Sequence, residues 1–172
     1  TFGAIACNLD EGYGPFLYKT SPSGGARHPI EVYPIVLNVE GIEPGIYHYS
    51  VKNHDLELIR MGDEKYLRNL CKSMGKDQEH VGKPSVVFVY TALIDREMWK
   101  YESPRAYRVI MYDLGHLSQT LYLMSSYFNL GAFFTGAIND EVVDSELNLD
   151  TSNEIPLGLS GVGHILGKNL ER

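Results

Sequence analysis

The sequence predicts an α+β domain built around one central sheet. Three observations support this fold class: strand-like segments dominate the first half, one long amphipathic helix follows, and the order of the elements lacks a regular βαβ alternation. With 44% hydrophobic and 22% charged residues, the composition is that of an ordinary globular domain. We therefore interpret residues 1–172 as a single domain. Because the chain opens on Thr1 rather than Met, we expect an upstream segment to have been removed.

The first half is predicted to be a loop followed by strands. Residues 1–27 are rich in Gly, Ser and Pro, which is typical of a loop. Residues 28–39 alternate apolar and polar side chains, as a half-buried strand does. Pro34 lacks an N–H, so an edge position or a bulge is expected there. Residues 46–51 and 56–60 then form a predicted hairpin.

The second half combines helices with further strands. A helix is predicted at 63–76, capped by its first residue, Asp63. The nearly continuous apolar run at 84–93 favours a central strand that is buried on both faces. Pro104 begins the strongest helical pattern, which continues to Asn129. The remaining predicted elements are a strand at 132–138, a helix from Asn139 or Asp140 to Leu147, and a strand at 155–164.

Charge and composition exclude several classes of function. A net charge of −7 argues against a general nucleic-acid binder, whose affinity depends on clustered Lys and Arg. No apolar run is long enough to span a bilayer, and no signal peptide opens the chain, so no membrane partner is expected and a cytoplasmic location is favoured. Cys7 and Cys71 are expected to be free buried thiols, and the scattered histidines predict no metal site.

The most informative segment is Ser-Pro-Ser-Gly-Gly-Ala-Arg-His-Pro at residues 21–29. A run of small residues before a strand lets the backbone approach a flat ligand, because no side chain stands in the way. Composition alone favours an ordinary surface turn, since Gly, Pro and Ser dominate turns.

The same segment, together with Glu31 and Tyr33, resembles the signature of the SagB/ThcOx-type dehydrogenases in the FMN-dependent nitroreductase superfamily. The likeness covers roughly residues 15–165 in the same order. Its further matches are at residues 45–49, 100–101, 105–108, 113–119, 135–136 and 161–164.

The resemblance implies a nitroreductase-like fold, in which a mostly antiparallel sheet is flanked by helices, and a homodimer with FMN at the subunit interface. The family holds the FMN phosphate with an Arg-rich segment that has no counterpart after Thr1, and with a basic residue near the C-terminus. By resemblance, the residues that bind FMN are Pro22, Ser23, Gly24, Gly25, Ala26, Thr135, Gly136 and Lys168.

The resemblance also implies a catalytic pair, Lys100 and Tyr101, without deciding which of the two is the base. On residue type alone, a solvated lysine and a packed tyrosine are favoured. The implied activity is oxidation of thiazoline or oxazoline rings in a ribosomal peptide to thiazole or oxazole, with a cyclodehydratase complex as a further partner. Two alternatives stay open: an NAD(P)H-dependent nitroreductase for small nitro or quinone compounds, and a flavin-free scaffold domain.

Three further features are weighed here. Asp113 and His116 lie three residues apart on a predicted helix and could pair, although a satisfied buried hydrogen bond is favoured over catalysis. Arg105 and Arg108 are interpreted either as solvated charges or as ligands of a phosphate or an acidic partner. The sequence does not decide whether Trp99 belongs to a lid or to the core.

Overall fold

The computed structural model describes residues 2–8 and 15–165. Its helices are α1 (Glu64–Met74), α2 (Ile94–Met98), α3 (Arg105–Tyr127) and α4 (Asp140–Leu147), and short 3₁₀ turns lie at Gly24–Ala26 and Glu79–Gly82. Its strands are β1 (Ala4–Asn8), β2 (Pro15–Lys19), β3 (Ile30–Val36), β4 (Gly45–Ser50), β5 (Asp55–Met61), β6 (Val86–Leu93), β7 (Gly131–Thr135) and β8 (Glu154–Gly163).

Six of the strands form one sheet in the order β5-β4-β3-β6-β8-β7, and every neighbouring pair in it is antiparallel. The apolar run predicted as a central strand is β6, which pairs with β3 on one side and with β8 on the other. Its side chains are buried on both faces of the sheet, as that prediction requires. The predicted α+β class with a mostly antiparallel sheet is confirmed.

Helices cover both faces of this sheet. One face packs Val87 and Val89 of β6 against buried residues of α1 and α4. The other face packs Tyr90 with Leu114 of α3. Asp63 caps α1 as predicted, because its side chain accepts a hydrogen bond from the Tyr66 amide at 2.9 Å. The sheet is therefore the middle of three layers, with α3 on the side that carries the site.

Pro34 occupies an interior strand rather than an edge. β3 pairs with β6 along its whole length, and Pro34 itself lies opposite Phe88. The ladder from β3 to β4, in contrast, covers only Ile35 and Val36. Pro34 is thus tolerated because it stands just before that short ladder begins, where β4 does not need its missing N–H.

The prediction of a loop over residues 1–27 is wrong. β1 and β2 form a separate antiparallel ladder that runs from Ala4 opposite Lys19 to Asn8 opposite Pro15. Phe2, just before this ladder, packs its ring 5.2 Å from Phe88 on the α3 side of the main sheet. The sequence did not reveal these two strands, because apolar and polar residues do not alternate along them. The Gly, Ser and Pro residues around them favoured a loop instead.

No helix in the described part of the chain is long and apolar enough to cross a membrane. Of the two cysteines, Cys71 is a free thiol on the buried side of α1, as predicted. Burial raises the pKa of this thiol to about 12, so Cys71 stays protonated and inert at neutral pH.

Candidate active site

The small-residue segment between β2 and β3 is fastened to α3 by one buried carboxylate. Asp113 accepts a hydrogen bond from Ser23 Oγ at 2.5 Å and another from the Gly24 amide at 2.9 Å. Ser23 Oγ in turn accepts from the His28 amide at 2.8 Å. Asp113 is therefore a satisfied buried group, as favoured above, and its partner is the loop rather than His116, whose side chain is exposed.

The loop requires its two glycines for different reasons. A Cβ on Gly24 would overlap Val109 Cγ1, so the absence of a side chain lets the loop lie flat against α3. Gly25 has a φ of +57°, in the left-handed region that favours glycine. Ala26 and His28 share that region, with φ values of +54° and +50°, where a side chain is strained.

The structure brings Lys100 onto this loop. A Cβ on Gly25 would lie 2.5 Å from Lys100 Cδ and 2.8 Å from Lys100 Nζ, so the lysine chain runs directly across the face of the glycine. The amides of Lys100 and Tyr101 both donate to the Glu97 carbonyl, each at 3.1 Å. Gly25 and Lys100, which the sequence assigned to two different groups of site residues, thus meet in one place.

Glu97 is the site residue that sequence reasoning missed. Its side chain is fully buried, and neither carboxylate oxygen has a hydrogen-bond partner among the described residues. Oε1 lies 3.6 Å from the position that a Cβ on Gly24 would occupy. Burial, and after it the negative charge of Asp113, raises the pKa of Glu97 to about 7, whereas Arg27 and Lys100 act in the opposite direction. The residue went unnoticed because charged neighbours made its segment resemble a solvated surface.

The short helix α2 is tied to the same loop by two arginines. Arg96 donates to the His28 carbonyl at 2.8 Å and to Glu31 Oε1 at 2.7 Å. Arg27 donates to the Arg96 carbonyl at 3.2 Å, and its guanidinium lies 4.3 Å from the centre of the Trp99 ring. Trp99 is 72% exposed, so it does not belong to the core.

Positive charge gathers beside the loop despite the acidic character of the whole chain. A cleft there is lined by Lys19, Arg27, His28, Glu31, His48 and Arg96. Burial and the nearby positive charges of Lys19 and Arg96 lower the pKa of His28 to about 4, so this imidazole is neutral at pH 7. His48 lies between the carboxylates of Glu31 and Glu57, and hydrogen bonding to Glu31 raises its pKa.

Thr135 and Gly136 lie at the end of β7 and not beside the glycine loop. They follow Phe134, whose amide donates to the Tyr122 hydroxyl at 2.8 Å. Tyr122 is nine residues beyond Asp113 on α3, which at 3.6 residues per turn places them about 13.5 Å apart along the axis and about half a turn apart around it. The glycine loop and the Thr135–Gly136 segment are therefore attached to opposite sides of α3, and one chain does not bring them together.

The other predicted residues have simpler positions. Pro22 is exposed at the start of the loop, and Lys168 lies outside the described residues. Arg105 and Arg108 are exposed on the first turn of α3. In the described ranges, 2–8 and 15–165, no group of His, Cys, Asp and Glu is arranged to hold a metal ion.

The fold and this loop define the class of the protein: an antiparallel sheet with a loop of small residues that is held against one long helix. The chain belongs to the nitroreductase family, whose model matches residues 4–164. The family resemblance found in the sequence is thereby confirmed.

Three similar proteins are informative. The trifolitoxin-processing protein TfxB of Rhizobium leguminosarum bv. trifolii is 37% identical over 80% of this chain and 37% of its own length. The microcin B17-processing protein McbC of Escherichia coli is 31% identical over 84% of this chain and 53% of its own length. The E. coli microcin synthetase McbBCD complex with truncated pro-MccB17 bound contains a chain that matches with a TM-score of 0.73 and 27% identity, over 86% of this chain and 56% of that one. The present chain thus spans between about 37% and 56% of the length of these relatives.

The buried carboxyl of Glu97 predicts how stability depends on pH. Its pKa in the folded protein, about 7, lies above the ordinary value of 4.5, so the folded state holds the proton more tightly than the unfolded state. Stability is then lost as pH rises from about 4.5 through 7. We expect Glu97→Gln not to show this loss. Between pH 5 and pH 8 its free energy of unfolding should therefore rise by on the order of 2 kcal/mol relative to that of the parent, which corresponds to about 5 °C in Tm.

Thermal unfolding of the parent and of Glu97→Gln at pH 5 and at pH 8 measures this difference. Glu102→Gln is the matched control, because Glu102 is exposed on the same connection. Parallel Tm changes in all three proteins would show that Glu97 does not ionise in this range.

Proposed function

We propose that this chain is the flavin-binding catalytic domain of an FMN-dependent oxidoreductase that oxidises thiazoline or oxazoline rings in a ribosomal peptide. The observation that carries the proposal is the position of Lys100, which lies across Gly25 of the small-residue loop. The names of two similar proteins describe processing of the peptides trifolitoxin and microcin B17, and the similar complex holds a truncated microcin precursor. These likenesses support a peptide as the substrate and a multi-protein complex as its setting. A cyclodehydratase in that complex is what the family resemblance of the sequence implies.

The loop fits a planar cofactor. Pro22 and Gly25 are exposed, Asp113 holds Ser23 and Gly24 in place, and the Lys100 side chain crosses the loop at Gly25. When bound, FMN supplies the hydride acceptor for ring oxidation. Residues 22–26 would lie along its ring, Thr135 and Gly136 would reach it from the other side, and Lys168 would contribute to holding its phosphate.

The geometry of α3 supports a homodimer. Because the two ring-contacting segments are attached to opposite sides of this helix, a single flavin that touches both needs two chains. The outer face of α3 offers the surface, since Tyr112, Leu123 and Tyr127 recur on it and are 60%, 62% and 76% exposed. A second copy that packs on this face would place its own Thr135–Gly136 segment toward the loop.

Within this site, Lys100 and Tyr101 handle the proton. Ring oxidation removes a proton from one ring carbon and a hydride from its neighbour, and the electron pair left by the proton forms the new double bond. Lys100 Nζ or Tyr101 Oη accepts the proton. The Glu97 carbonyl holds both backbone amides, so the two side chains are presented from one fixed turn.

The family name favours a second candidate, reduction of small nitro or quinone compounds with NAD(P)H as the electron donor. Anaerobic mixing of the flavin-loaded protein with a thiazoline peptide or with NADPH distinguishes the two functions. A thiazoline peptide that bleaches the bound flavin favours azoline oxidation, whereas rapid bleaching by NADPH alone favours the nitroreductase activity.

We expect Gly25→Leu to weaken FMN binding at least about tenfold. A side chain there would displace Lys100, and its left-handed backbone would be strained by about 1–3 kcal/mol. Fluorescence titration with FMN gives the Kd. Gly41→Leu is the matched control, because Gly41 also has a positive φ, +80°, but has open space around it. Equal affinities for Gly25→Leu and the parent would mean that the flavin binds elsewhere.

Leu123→Asp should convert the dimer to a monomer and abolish FMN uptake, because a charge on the outer face of α3 opposes burial against a second copy. Light scattering coupled to gel filtration reports the mass. Leu58→Asp, at a leucine that is 53% exposed on β5, is the control and should remain dimeric. A wild-type monomer that carries FMN would refute the two-chain site.

Lys100→Ala and Tyr101→Phe should retain the yellow flavin while ring oxidation slows by at least about a hundredfold, the lower range for proton-transfer catalysis. Turnover of a synthetic thiazoline peptide by flavin-loaded protein is the measurement. Lys65→Ala, at an exposed lysine on α1, should turn over at the parent rate. Unchanged turnover in both site variants would remove the pair from the mechanism.

A further inference from the structure

A cleft beside the glycine loop contains more basic groups than its own carboxylate can neutralise. It lies between that loop and the turn after β4, and its volume is about 520 Å³. Four basic side chains line it, those of Lys19, Arg27, Lys52 and Arg96. Glu31 is the single acidic residue in its described lining. The cleft is therefore suited to an anionic ligand, although the chain as a whole has a net charge of −7.

Glu31 does not neutralise Lys19. One Glu31 oxygen accepts a hydrogen bond from Arg96 at 2.7 Å, and the other lies 2.9 Å from Nε2 of His48. Lys19 is half-buried, and its amine has no ion pair or hydrogen bond with any described residue. Burial lowers the pKa of Lys19, and this effect outweighs the opposite effect of Glu31. A bound anion would stabilise the ammonium form that burial disfavours.

Arg27 supplies a second cation with nitrogens available for a ligand. Its Nε donates to the Arg96 carbonyl at 3.2 Å, and its guanidinium lies over the ring of Trp99. These two contacts hold the side chain in one orientation. Its two terminal nitrogens have no acceptor among the described residues. A guanidinium presents parallel N–H groups that match the two oxygens of a carboxylate.

The cleft offers side-chain cations rather than backbone donors. Four amides of the loop already donate within the loop or to Asp113, those of Gly24, Ala26, Arg27 and His28. Phosphate sites in proteins commonly use backbone N–H groups that point at the ligand. A carboxylate, in contrast, can be bound by one lysine and one arginine through charge-assisted hydrogen bonds. The arrangement therefore favours a carboxylate over a phosphate.

This cleft adjoins the proposed reaction site. Ala26 lines it and directly follows Gly25, across which Lys100 lies. We propose that the cleft is a carboxylate-binding site in which Lys19 and Arg27 hold an acidic residue of the peptide whose ring is oxidised. Carboxylate binding rests on the cleft alone, and the peptide as its source rests on the proposed function. Because an extended chain advances about 3.3–3.6 Å per residue, the acidic residue lies within a few residues of the ring.

Acetate tests the site without a peptide, in protein with and without FMN. Trp99 is the one tryptophan of the chain, so its indole N–H gives a single NMR signal beside the Arg27 guanidinium. We expect acetate at constant ionic strength to shift this signal until the site is saturated. Lys19→Met should raise the Kd for acetate about tenfold, as expected when one charge-assisted hydrogen bond is lost. Lys19→Gln should give the same loss if Lys19→Met does not fold, and Lys65→Met on α1 should keep the parent Kd.

Matched peptides test the source of the carboxylate. Each contains the thiazole product ring and one Glu at a position up to four residues from the ring, and its partner peptide contains Gln there. The shift of the Trp99 signal gives the Kd of each peptide. At one position or more, we expect the Glu peptide to bind at least about tenfold more tightly than its Gln partner. Lys19→Met should remove this difference, and Lys65→Met should retain it.

The outcomes distinguish the site from the proposed function. An absent acetate shift, or equal acetate affinities in the parent and the Lys19 variants, would overturn the carboxylate site. Acetate binding without a preference for any Glu peptide would overturn the peptide as its source. Competition between FMN and acetate would overturn it too, because the cleft would then hold the cofactor phosphate. A protein that binds acetate as expected but oxidises no azoline would refute the proposed function and leave the carboxylate site standing.

Discussion

The site depends on the two hydrogen bonds that Asp113 accepts from the loop. They fix a segment with three residues in the left-handed region, two of which are not glycine. Bonds to an ionised acceptor are among the stronger ones in proteins, and these two also satisfy the Gly24 amide. Without these hydrogen bonds the loop would not be held in this conformation beside α3, and Lys100 would lose the glycine backbone over which its side chain lies.

The same carboxylate determines the electrostatics around it. Asp113 accepts hydrogen bonds from two groups of the loop, and its negative charge disfavours a second negative charge on Glu97. The carboxylate that holds the loop therefore also adds to the raised pKa of Glu97, whose larger cause is burial. A change that neutralised Asp113 would loosen the loop and, at the same time, make Glu97 more acidic.

Sequence patterns predicted those parts of the molecule that are long or regular. The apolar run of β6 and the periodicity of α3 extend over enough residues to be recognised, and the family signature identified the loop and the Lys-Tyr pair. The five residues of α2 are too few to show a helical period, so the burial of Glu97 was not visible. That burial arises only when α2 packs between α3 and the loop. For the same reason the sequence indicated Asp113 as a buried polar group but could not name its partner.

The proposals for this chain all depend on the long helix α3, because each of its sides contacts a different part of the molecule. Its inner side buries Ile110, Leu114 and Leu121 against the sheet, and one flank holds the loop through Asp113. The opposite flank holds β7 through Tyr122, and the outer side exposes Tyr112, Leu123 and Tyr127. Since one residue of register shift would rotate these sides by about 100°, core packing fixes the directions from which α3 holds the glycine loop and β7. The proposal that two chains complete one flavin site therefore follows from how the core is packed.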